Sequence, residues 1–225
     1  MSRWPGKYVI GLTGNIATGK SVVRKMLEHL GAYGIDADAL AHRAMAKGAP
    51  GFPLVIKTFG EWIVDAEGQI DRGRLSKVVF SDPGALEKLE AIIHPLVTHA
   101  IDLLVRRAKH SVVVIEAIKL LETDLVAGCD VVWVVTAAES LQISRLMHKR
   151  NFSEGVAKQR IAAQLPQTSK LRMANIVIRN EGSFENTWEQ VQTAWASLPK
   201  PKEPLLEKPP TTHPGQLIVR RGRPQ

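Results

Sequence analysis

Cysteine is almost absent: Cys129 stands alone in a chain of 225 residues. One thiol closes no internal disulfide and builds no thiolate metal site, so a reducing cytoplasm is the expected setting. Cys129 lies between an apolar run and a strand, which reads as packing and not as catalysis. Long apolar runs are missing as well. No stretch approaches the roughly 20 residues that a membrane-spanning helix needs. The opening MSRWPGKYVIGLTG runs straight into a strand and a glycine loop, without the pattern of a secretory leader. No membrane partner is therefore expected. Aromatic residues are only 5% of the chain, and no aromatic–basic stripe or nucleic-acid motif accompanies them, so no nucleic-acid partner is expected either. The seven histidines show no metal-ligand spacing.

What is present is a globular mixture, 44% hydrophobic and 23% charged, long enough to bury a core without staples. The net charge of +8 suits polyanionic partners: nucleic acid, acidic headgroups or phosphate-rich small molecules. Charge alone does not choose among them.

Short β-rich runs alternate with helical spacing along most of the chain. Strands are expected at 8–12, 33–35, 111–116, 130–135 and 175–178. Helices are expected at 20–30, 39–47, 138–150, 153–163 and 184–197, with several more between 53 and 110. Gly48-Ala49-Pro50-Gly51 reads as a break and His94-Pro95 as a helix end. The expected fold class is α/β: a five-stranded parallel sheet flanked by helices, with a helical insertion at about 53–110 covering the strand ends. A domain of residues 1–198 follows, with a lid at about 145–172. The proline-rich 199–215 reads as an extended linker. Residues 216–225, with Ile218-Val219-Arg220-Arg221-Gly222-Arg223-Pro224, read as the start of a truncated second domain and weakly resemble an acetyltransferase first strand.

The strongest local signal is Gly14-Asn15-Ile16-Ala17-Thr18-Gly19-Lys20-Ser21, which fits G-x-x-x-x-G-K-[ST]. It sits between a strand and an amphipathic helix, the context that a phosphate-binding loop requires. Its N–H groups form a nest for phosphate oxygens, and the following helix aims its positive end at the same point. Lys20 supplies a charge to the terminal phosphates, and the Ser21 hydroxyl is suited to Mg²⁺. The loop residues and the adjoining Val22 are expected to hold ATP.

Asp36 and Asp38 follow the second strand, at the sheet edge where ligands bind in open α/β sheets. A carboxylate there can take the proton of an attacking hydroxyl; spacing alone leaves a helix cap at Asp38 equally open. Glu116 closes a strand beside the loop, in reach of Mg²⁺ through water. Arg145 stands at helical spacing from Lys149 near a basic helix end, suited to a mobile lid. Lys170 and Arg172 receive no role, and a lone His94 reads as structural.

Together these segments resemble the dephospho-coenzyme A kinase family. The resemblance rests on GLTGNIATGKSVV, YGIDADALAHR, KGAPGFPLVIKTFG, DAEGQIDRGRLSKVVFSDP, LEAIIHPLV and RIAAQLPQTSKLRMANIVIRNEGS, in unbroken order over about 8–198. It implies a nucleoside-monophosphate-kinase-like sheet with a helical substrate domain and a lid. It implies ATP-dependent phosphorylation of the ribose 3′-hydroxyl of dephospho-CoA, with Mg²⁺. Asp38 then matches the base, Glu116 an acidic position near the metal, and Arg145 a lid arginine. Arg72 and His94 fall in the substrate-facing insertion. The chain departs from the family pattern at Asn15 for glycine and Val22 for threonine. It departs again at Ile118–Glu122 for P-L-L-x-E, at Lys149 for arginine and at Arg179 for an acidic residue. An active enzyme is expected, as a monomer or weak homo-oligomer. The alternatives are another small-molecule or nucleotide kinase of the same fold, or a non-catalytic ATP-binding module.

Overall fold

The computed structural model describes residues 3–199; the expected linker and second-domain segment lie outside these residues. The chain runs β1 (Tyr8–Thr13), α1 (Lys20–His29), β2 (Tyr33–Asp36), α2 (Ala37–Ala44), α3 (Gly51–Phe59), α4 (Arg72–Ser81) and α5 (Pro83–Arg107). It continues through β3 (Val112–Glu116), β4 (Val131–Thr136), α6 (Glu139–Arg150), α7 (Glu154–Ala162), α8 (Gln167–Arg172), β5 (Ile176–Arg179) and α9 (Phe184–Ala196).

The five strands are parallel, in the order β2-β3-β1-β4-β5. Both sheet faces are covered, so the strands read as continuous apolar runs. Alternate side chains still divide between the faces. Val9, Ile35, Val113 and Ile115 pack with Val97, Ile101 and Val105 of α5. Ile10, Leu12, Val112, Val114 and Trp133 pack with Val23 and Leu27 of α1 and with Val191 and Trp195 of α9. Each such aliphatic side chain contributes about 1.5–3 kcal/mol on burial. No helix among the described residues is long and apolar enough to cross a membrane.

Three local expectations change. Pro95 does not end a helix; it lies inside α5. Its missing N–H costs one helical bond, which the burial of Ile93, Val97, Ile101 and Val105 outweighs. Gly51 opens α3 rather than breaking the chain. The six residues of α8, just after Pro166, form a helix that was not expected. The helical segment after β2 does more than cover strand ends, because the second half of α5 builds the core beneath one sheet face.

Aspartates set several helix starts. Asp71 caps α4 by accepting from the N–H groups of Gly73 and Arg74 at 2.8 and 3.0 Å. Asp82 caps α5 through Gly84 N–H. At the sheet edge, the N–H of Arg179 in β5 donates to Gln190 Oε1 at 2.9 Å, and Gln190 Nε2 donates back to the Arg179 carbonyl at 3.0 Å.

Candidate active site

Three chain segments leave the carboxyl edge of the sheet side by side. In register, Leu12 of β1 and Asp36 of β2 both flank Glu116 of β3. The loop 14–19, the Asp36–Asp38 turn and the Glu116–Ile118 turn therefore share one crevice, between strands β1 and β3 where the strand order reverses.

The loop requires its glycines. Gly14 has φ +148°, and a Cβ there would meet the Val135 carbonyl oxygen at 2.2 Å. Gly19 has φ +97°, and a Cβ would lie 1.9 Å from Asn180 Nδ2. Between them Ala17 holds a left-handed φ of 61°. The Asn15 carbonyl accepts from Thr18 Oγ1 at 2.9 Å, Thr18 N–H at 3.3 Å and Lys20 Nζ at 3.2 Å. Side chains from distant elements brace the same turn. Ile16 N–H donates to Gln164 Oε1 at 2.9 Å, and Asn180 Nδ2 donates to the Thr18 carbonyl at 2.8 Å. Arg145 donates to the carbonyls of Ala17 and Thr18 at 3.0 and 3.3 Å, and to that of Asn180 at 2.9 Å.

Lys20 is buried. Burial pulls its ammonium down to about 8, against the attraction of Glu116 and Asp38; the charges of Lys170 and Arg150 push the same way as burial. A poorly solvated cation at the first residue of α1 is suited to an anionic partner. Ser21 Oγ donates to Glu116 Oε1 at 2.7 Å, and Arg24 Nε donates to Glu116 Oε2 at 2.7 Å. The hydroxyl and carboxylate form a hard-oxygen donor set that fits Mg²⁺, which keeps most of its ligands as water.

The two aspartates divide their tasks. Asp36 is the cap of α2, accepting from Ala39 N–H at 2.8 Å. The cap reading of Asp38 is thereby removed. Asp38 instead lies in the first turn and accepts from Ile118 N–H at 3.2 Å. Burial raises the Asp38 carboxyl above the usual range, with Asp36 and Glu116 adding to the rise, while Lys20 and the Ile118 bond oppose it. A raised carboxylate beside an anion site is a better proton acceptor than a free one.

The dephospho-CoA kinase family model matches residues 8–186. The chain belongs to this family. A dephospho-CoA kinase of Carboxydothermus hydrogenoformans is 40% identical over 188 residues, covering 82% of this chain and 91% of that relative. Among solved structures, TT1252 from Thermus thermophilus is 30% identical with a TM-score of 0.74, covering 85% of this chain and 98% of that one. A dephospho-CoA kinase from Campylobacter jejuni is 25% identical with a TM-score of 0.59, over 84% of this chain and 96% of that one.

Against the expectations for a dephospho-CoA kinase, the crevice gathers Lys20, Ser21, Asp38 and Glu116. Other residues stand further off. Val22 is exposed, over a surface groove shared with Met26, Phe184 and Trp188. Arg72 is exposed on the first turn of α4, and its charge reaches His42, which in turn senses Asp38 and Asp36. His94 is exposed on α5 and makes no side-chain hydrogen bond among the described residues. Arg145 braces the loop through the Ala17, Thr18 and Asn180 carbonyls in this conformation; Arg150 is the α6 arginine whose charge reaches Lys20.

Gln164, Asn180 and Lys170 were not expected at the site. The A-A-Q and N-E-G pieces of the resemblance contained the first two. Lys170 lay inside a basic run that resembled a solvated face, but its side chain is fully buried.

Proposed function

We propose that the chain transfers the γ-phosphoryl group of ATP to the ribose 3′-hydroxyl of dephospho-CoA, yielding CoA and ADP. The loop 14–21 would cradle the β- and γ-phosphates with its N–H groups and Lys20. Ser21 and Glu116 would hold Mg²⁺, the latter through water; the ion supplies charge neutralisation on the phosphates. Asp38 would orient the acceptor hydroxyl and take its proton as the oxygen bonds to the γ-phosphorus. The bond from that phosphorus to the bridging oxygen breaks, and ADP leaves with the electron pair. Arg72 and His94 line the approach of the acceptor from the insertion in this reading, and Arg145 keeps the loop in register. The chain would act in the cytoplasm, as a monomer or weak homo-oligomer, without membrane or nucleic-acid partners.

The observation that carries the reading is the convergence on one sheet edge of Ser21, bonded to Glu116 at 2.7 Å, and Asp38, bonded to the Ile118 N–H at 3.2 Å. It supports a proton acceptor and a phosphate anchor sharing one site. The test is CoA formation from ATP and dephospho-CoA, followed by chromatography, in parallel with a nucleoside monophosphate as acceptor. Dephospho-CoA should be the better acceptor, and preference for the monophosphate overturns the assignment. Asp38→Asn should lower the rate about 10²-fold or more with ATP binding retained. An unchanged rate removes Asp38 from the mechanism.

A further inference from the structure

Lysine side chains rarely leave water unless paired, and the described residues bury two, Lys20 and Lys170. The first has a phosphate to hold. The second lies on α8, 1% exposed, shortly before β5. Its Nζ donates to the Ile118 carbonyl at 2.7 Å. Glu122, the nearest carboxylate, is 3.9 Å away and partly exposed. Thr13 Oγ1, at the end of β1, donates to the same Ile118 carbonyl at 3.1 Å. The N–H of Ile118 in turn donates to Asp38 Oδ2 at 3.2 Å. Ile118 is thus clamped from both sides: its carbonyl by Lys170 and Thr13, its N–H by Asp38.

We propose that Lys170 is a positioning residue for the phosphoryl transfer, fixing Ile118 so that its N–H aims Asp38 at the acceptor hydroxyl. The proposal rests on the kinase reading above and deepens it. Two bonds link the stretch 164–170 to the chemistry. Gln164, just beyond α7, holds Ile16 of the phosphate loop; Lys170, six residues on, holds Ile118, whose N–H bonds Asp38. A shift of α7 and α8 would therefore displace anchor and base together. A charged donor to a carbonyl is the stronger kind of hydrogen bond, and it is held here away from competing water.

The charge has a separate effect from the bond. The groups facing Asp38 are the cations Lys20 and Lys170, the carboxylates Asp36 and Glu116, and His42, with Arg72 beyond it. Removing the Lys170 cation leaves the Asp38 carboxylate less favoured, so its pKa rises. The acid limb of the pH–rate profile must then move to higher pH. A residue that served packing alone would lower the rate without moving that limb.

The experiment uses the full chain with Lys170→Met and Lys170→Arg. In Lys170→Met, kcat for CoA formation should fall about tenfold, the size of one charge-assisted hydrogen bond, with KM for ATP unchanged. The acid limb should shift upward. Lys170→Arg keeps the charge and should keep that limb near its wild-type position. A folded Lys170→Met with a wild-type acid limb overturns the proposal. A second measurement needs neither variant nor acceptor. In wild-type protein, the Ile118 amide resonance should titrate with the same apparent pKa as the Asp38 carboxyl carbon. An Ile118 amide that ignores the Asp38 titration overturns the proposal even if Lys170→Met does not fold. Because this titration contains no dephospho-CoA, its result is independent of whether the acceptor has been named correctly.

Discussion

Replacing Lys20 with methionine should make the nucleotide-free protein more stable while abolishing its chemistry. Burial holds the Lys20 ammonium at about 8, against an ordinary value of 10.5. The folded chain therefore binds this proton less tightly than the unfolded chain. The gap corresponds to about 3 kcal/mol of destabilisation, present in full below pH 8 and gone above pH 10.5. Methionine keeps the length and apolar stem and discards the charge. Its one abandoned partner, the Asn15 carbonyl, retains both Thr18 donors, so little is lost there. A gain of about 2–3 kcal/mol at pH 7 should raise Tm by about 4–10 °C in a chain of this size. Thermal and urea unfolding at several pH values from 7 to 10 measure it. The difference should narrow as pH climbs, because wild type gains stability while the variant does not. ATP should then stabilise wild type alone. A variant no more stable than wild type at pH 7, with no narrowing toward pH 10, would refute the argument that this lysine is held charged at a cost.

Other outcomes follow from the same geometry. Gly19→Ala places a Cβ 1.9 Å from Asn180 Nδ2 at a φ of +97°; it should cost about 1–3 kcal/mol by urea unfolding and weaken ATP binding by calorimetry. Burial, with Asp130 adding to it, pushes the Cys129 thiol up to about 12. Native protein at pH 8 should therefore react with iodoacetamide about a thousandfold more slowly than unfolded protein; equal rates would contradict the packing described.

Much of this architecture was legible in the sequence because its signals are local. Val9, Ile10, Val113, Val114 and their neighbours form short β-rich runs, and Gly14 to Ser21 carry their own backbone requirements. The misread places are those where tertiary packing overrules local preference. Pro95 argues against a helix, yet the apolar stripe of α5 holds it inside one. Gly51 sits in a breaker-rich tetrapeptide, yet it starts α3. The helix α8 is too short for a period to show. The site divides in the same way. Lys20 and Ser21 are fixed by a motif, whereas Lys170, Gln164 and Asn180 act on partners 52, 148 and 162 positions away. Arg145 was visible as a basic group at helical spacing, but only the fold shows that its donors are taken by the Ala17, Thr18 and Asn180 carbonyls.

The paired bonds between Gln190 and Arg179 bear on how the sheet stops. β5 lies at the rim, and an outer strand offers free N–H and C=O groups to any extended chain that arrives. The Gln190 carboxamide presents one donor and one acceptor in the same sense as a peptide unit, and so occupies that rung itself. An incoming segment would have to expel an already satisfied amide at Arg179 before it could pair there.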